Sequence, residues 1–120
     1  MKIVFYIALT LLLLLTISCV QKAKKRVVIY TVDVSKVDNI KKVGIRGWDN
    51  PLSWEKDYLM KEIAKDSLYQ VTITSETGRI CNEFKFSVNE NPELEGKENR
   101  KIYFSTKSDT TKATFVFNKE

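Results

Sequence analysis

The chain has 120 residues, which sets one domain as the prior, and 20 Lys and Arg against 15 Asp and Glu give a net charge of +5. The excess is mild and spread out, with one cluster at Lys22, Lys24, Lys25 and Arg26, so no basic stripe is legible and nucleic acid is not an expected partner. Histidine is absent, which removes the commonest general base, the commonest metal ligand and every Ser–His or Cys–His arrangement.

Met1 and Lys2 form a short positive start, and Ile3 to Ile17 is an apolar run without charge. Thr16-Ile17-Ser18-Cys19 follows, with a small residue immediately before the cysteine. This pattern resembles a bacterial lipoprotein signal, although Thr16 stands where leucine is more usual. The resemblance implies cleavage before Cys19, lipid on its thiol and amine, and a membrane partner reached through that lipid. No aspartate follows Cys19, which points to the outer membrane of a Gram-negative envelope rather than inner-membrane retention. The alternative is an uncleaved anchor, but the apolar run falls short of the ~20 residues a spanning helix needs. We therefore expect a signal peptide over 1–18, a polar tether over 19–26 and a folded domain over 27–120. The basic cluster beside Cys19 is suited to anionic headgroups.

With Cys19 taken by lipid, only Cys81 remains, so neither an intramolecular disulfide nor a cysteine zinc site is expected. No cofactor is implied, and an apolar core must supply the stability.

Val28, Tyr30, Val32 and Val34 fall on one face of a first strand. Ile40 to Ile45 reads as a second strand, ended by Gly47 and a loop through Asn50-Pro51 that holds both tryptophans, Trp48 and Trp54. The stretch from Trp54 to Lys65 suits either a weak strand or a helix. Leu68 to Thr74 alternates, with Tyr69, Val71 and Ile73 together, and Glu76-Thr77-Gly78 signals a hairpin turn. Ile80 to Val88 is the clearest strand, with Ile80, Phe84, Phe86 and Val88 expected inward and Cys81, Glu83, Lys85 and Ser87 outward. Asn89 to Glu98 is a polar loop, Lys101 to Ser105 a short strand, and Ala113, Phe115 and Phe117 alternate in the last. About seven or eight short strands with frequent turns predict an all-β antiparallel sandwich. Its expected core is Phe84, Phe86, Phe104, Phe115, Tyr69, Ile73, Val32 and Ile45.

Val43-Gly44-Ile45-Arg46-Gly47, Pro51-Leu52-Ser53-Trp54, Leu68 to Ile73, Asn82-Glu83-Phe84-Lys85-Phe86 and Leu94 to Arg100 recur in an order and spacing similar to the starch-binding domains of carbohydrate-binding module family 20 and the glycogen-binding domains of family 48. The resemblance covers about Val28 to Phe104. It implies an immunoglobulin-like β-sandwich that binds an α-glucan without catalysis. Position by position, Trp54 matches the tryptophan that stacks on a glucose ring, and Lys85 and Asn99 match residues that hydrogen-bond sugar hydroxyls. The second stacking tryptophan falls at Leu94, so one platform is missing; Trp48 or Tyr58 is a candidate replacement.

Apart from any family, an exposed indole packs against the apolar face of a sugar, with Lys85, Asn99 and Glu95 available for the hydroxyls at the rim. The plainer readings are a Trp54 lid over the sandwich end, Trp48 as packing, a solvated Lys85 and an Asn99 turn cap. Arg100 is expected to pair with a carboxylate or cover apolar surface with its stem. Glycoside hydrolysis needs two carboxylates at a set separation across a cleft, and no such spacing stands out, so no enzyme is expected. The competing class is an envelope protein that keeps the sandwich, has lost the sugar site and binds another protein.

Overall fold

Period-two apolar patterning places Val28, Tyr30 and Val32 on the buried side of a ten-residue strand, β1 (Lys24–Asp33). A computed structural model describes residues 1–15 and 22–120; Cys19, the expected lipid site, lies outside them. The apolar start forms a helix, α1 (Lys2–Leu15). Among the described residues, no helix is long and apolar enough to cross a membrane.

The remaining strands are β2 (Val43–Gly47), β3 (Tyr58–Leu59), β4 (Lys61–Ala64), β5 (Leu68–Thr77), β6 (Cys81–Val88), β7 (Asn91–Pro92), β8 (Arg100–Tyr103) and β9 (Thr110–Val116). One sheet runs β4-β5-β1-β9. In the other, β3, β2 and β6 are neighbours, and β7 and β8 succeed one another along the free edge of β6. The chain is thus the all-β, two-sheet sandwich its alternation predicts.

One pairing departs from the antiparallel expectation. β9 lies parallel to β1, from Val27 opposite Thr110 to Asp33 opposite Val116. Parallel neighbours need a long connection, and here almost the whole domain lies between the two strands. The expected tether also ends early, because Lys24, Lys25 and Arg26 pair with Thr77, Glu76 and Ser75 as the start of β1. The stretch after Trp54 forms β3 and β4 rather than a helix; Met60 is buried between them, and its N–H donates to the Val43 carbonyl at 2.9 Å.

Tyr30, Phe84, Phe86 and Phe115 fill the interior edge to face, with Tyr30–Phe84 centroids 4.8 Å apart and Phe84–Phe115 centroids 5.3 Å apart. The expected core residues are buried, apart from Phe115, which is partly covered. Two residues of this stretch keep the parity read from the sequence but not the expected exposure. Ser87 lies on the outer face opposite Gly44 but is buried, and Asp57 packs close to the same glycine. Ile80 keeps the inward parity of Phe84 but precedes β6 and is 60% exposed, since the apolar core does not extend that far.

Candidate functional site

Gly47 is the last residue of β2, and a side chain has no room there. A Cβ would stand 2.8 Å from the Glu83 carbonyl and 2.9 Å from the Leu52 side chain. Leu52 is buried and staples the loop to the core, leaving Trp48 before it and Trp54 after it at the surface. A second clamp acts on the far side of the loop. The Arg46 guanidinium donates to Asp57 at 2.6 Å and to the Trp54 carbonyl at 3.5 Å. Asp57 in turn fits closely over Gly44, where an added Cβ would be 2.6 Å from its own.

Arg46 lies directly opposite Lys85 in the β2–β6 register, on the outer face of the sheet. The Lys85 amine donates to the Leu94 carbonyl at 3.0 Å and the Lys97 carbonyl at 2.9 Å. It therefore holds the loop that bridges β7 and β8. An ammonium has three N–H groups, so one remains for an external acceptor. Two neighbouring cations thus position the Trp54 loop and the 94–99 loop on one face.

Trp54 is 37% exposed. Glu95 and Asn99 are both exposed on the loop that Lys85 fixes. Asn99 also lines a cavity of about 600 Å³, shared with Leu94, Lys97, Arg100, Phe115 and Glu120. Leu94 is buried, so nothing is presented at the position of the second platform. Trp48 lies beyond Arg46 along β2, and the Arg79 guanidinium covers one face of its ring, 4.5 Å from the centroid. It is an exposed, cation-stacked ring rather than interior packing.

The sequence reading passed over Arg46, Asp57 and Glu93. Glu93 is buried and accepts from Arg100 Nε and Nη2, both at 2.8 Å, and from the Phe86 N–H at 2.8 Å. Arg100 pairs with this carboxylate and also covers apolar surface, its guanidinium 5.2 Å from the Phe115 centroid. The sequence reading offers Arg100 a carboxylate partner without naming which, and the fold supplies Glu93.

Nearby, the Asn82 side chain donates to the Tyr30 hydroxyl at 2.8 Å. Burial is the main reason that hydroxyl's pKa is pushed up to about 12. Burial also raises the Asp49 pKa, against the opposing pull of Arg79. Among the described residues, no three His, Cys, Asp or Glu side chains group to hold a metal ion. Cys81 is a half-buried free thiol.

No family model matches the chain, and no curated protein matches it.

Proposed function

We propose that the protein is a lipid-anchored envelope protein that binds a glycan of the α-glucan class without catalysis, using the Trp54 face. The observation that carries this reading is the exposed Trp54 indole on a loop clamped by Arg46, beside the Lys85 that clamps the 94–99 loop. A ring held on a fixed loop offers a sugar an apolar platform with little ordering cost. The third N–H of Lys85 and the amide of Asn99 supply the polar rim, and Glu95 supplies an acceptor. The starch-binding resemblance and the lipoprotein signal motif support the same reading.

One observation favours a second reading. Leu94 is buried where a second platform would stand, while Tyr58, Leu59 and Tyr103 are exposed on the same sheet. That combination suits a protein partner as the occupant.

A starch pull-down and a glycan array with the wild type and Trp54→Ala separate the two. Retention that falls at least tenfold in the variant supports the glycan. No retention of the wild type, with a co-purifying protein that survives Trp54→Ala, overturns it.

A further inference from the structure

Residues of one parity along β1 change chemistry at its start. Val28, Tyr30 and Val32 point into the sandwich, and the next two positions on that side are Arg26 and Lys24. The interior row thus turns basic where the core ends. Lys25 has the opposite parity and pairs across with Glu76, so that carboxylate is not on the side of Lys24 and Arg26.

The result is an open end to the sandwich, a cavity of about 350 Å³ lined by Lys22, Lys24, Arg26, Thr77, Gly78, Arg79 and Ile80. Its four cations have little compensation. Arg79 is half-exposed and 3.7 Å from Asp49. Arg26 lies over the Phe104 ring and donates to the Ser105 carbonyl at 3.3 Å, while its buried Nε–H finds no partner among the described residues. Ile80 adds an apolar side chain that the protein leaves 60% uncovered.

We propose that this cationic mouth docks on an anionic phospholipid surface, with headgroup phosphates between the lysines and arginines and Ile80 at the acyl boundary. The inference rests on the membrane-anchored part of the function proposed above. Distance argues for this occupant. Two residues lie between Cys19 and Lys22, and three residue steps of chain span at most ~11 Å. The headgroup layer is itself ~5–8 Å deep on each side of a bilayer. A lipid on Cys19 therefore keeps the nearest lysine of the mouth within about a Debye length of the headgroups, where each basic residue contributes about a fivefold preference. Charge complementarity and an uncovered apolar residue then orient the sandwich with this end down. The loop that carries both tryptophans starts at this same end, since Arg79 stacks on Trp48 and pairs with Asp49, and the Trp54 backbone is held by Arg46.

The test uses the full chain reconstituted in vesicles of phosphatidylcholine alone or with phosphatidylglycerol. Flotation reports anchoring. A single indole at the mouth (Ile80→Trp with Trp48→Phe and Trp54→Phe), quenched by brominated lipid, reports docking. Hydrogen exchange of residues 22–26 and 77–80 in the unmodified chain reports docking without substitutions. Expected are quenching and slowed exchange on phosphatidylglycerol vesicles only, both lost in 1 M salt. Lys22→Gln with Lys24→Gln should lower the docked-to-undocked ratio about 25-fold. Lys61→Gln with Lys65→Gln, near the opposite end of β5, should leave it unchanged. Flotation with equal exchange on both vesicle types overturns the docking while sparing the anchor. Failure to float with either overturns the anchor and the docking together.

Discussion

Replacing Glu93 by glutamine tests how far one buried carboxylate holds the candidate site together. Glu93 is 1% exposed and accepts at both oxygens, from Phe86 N–H and Arg100 Nε at one, and from Arg100 Nη2 at 2.8 Å and Asn118 N–H at 3.1 Å at the other. The same Arg100 Nη2 reaches the Val116 and Lys119 carbonyls at 2.9 and 2.8 Å. One ion pair therefore ties β6, β8 and the end of β9. Glutamine keeps the shape but turns one acceptor into a donor, so two donors lose their partner whichever way the amide points. It also leaves the guanidinium, whose side chain is 10% exposed, without a counter-charge. Breaking such a pair costs about 3–5 kcal/mol. That is a large share of the ~5–15 kcal/mol that holds a domain of this size, and corresponds to a fall in Tm of about 15–30 °C. Urea and thermal unfolding in detergent, followed by circular dichroism, measure it. Lys97→Gln is the comparator, since the Lys97–Glu120 pair is 58% and 67% exposed and is worth under ~1 kcal/mol. Removing both charges (Glu93→Gln with Arg100→Gln) should cost less than the sum of the single changes. If Glu93→Gln costs no more than Lys97→Gln, the assignment of Glu93 as the tie between sheets is wrong.

Two further outcomes follow from packing and protonation. Gly47→Ala should cost about 1–3 kcal/mol in urea unfolding and weaken glycan retention, because its methyl meets the Glu83 carbonyl and Leu52. Gly96→Ala meets nothing within 4 Å, and at φ +76° its cost is backbone strain alone, about 1–2 kcal/mol. Tyr30 holds its proton more tightly when folded, its pKa raised from 10.0 to about 12. Its contribution to stability is complete below pH 10 and is lost as pH rises through 12, by about 3 kcal/mol. Tyr30→Phe should lose about 1–3 kcal/mol at neutral pH through the stranded Asn82 amide. It should also flatten part of the alkaline fall in an unfolding series from pH 8 to 12. Tyr69, also raised to about 12 by burial and by its bond to Glu62, contributes over the same pH range.

The Trp54 loop and its supports were unequally legible. Trp54 was found because an indole after a glycine-ended strand and Asn50-Pro51 is a local pattern. Arg46, Asp57 and Glu93 were not, since each acts on a partner that only folding brings near. Lys85 was read as outward from parity alone, and it is; that its amine spans to Leu94 and Lys97 depends on β7 and β8 sharing one edge of β6. Ser87 faces outward as its parity gives, but it is buried beside Gly44, where Asp57 from another loop also packs.

By itself the sequence determined the alternation, and with it the strands, the buried aromatic set and the two-layer form, because period-two burial is a property of each segment. Tertiary structure alone decided that β9 runs parallel to β1, that Glu93 meets Arg100 under the sheets' edge, and that Lys24 and Arg26 face Arg79 and Ile80 across an open end. Those outcomes depend on which strands become neighbours, and a local pattern carries no information about the distance between residues that are far apart along the chain.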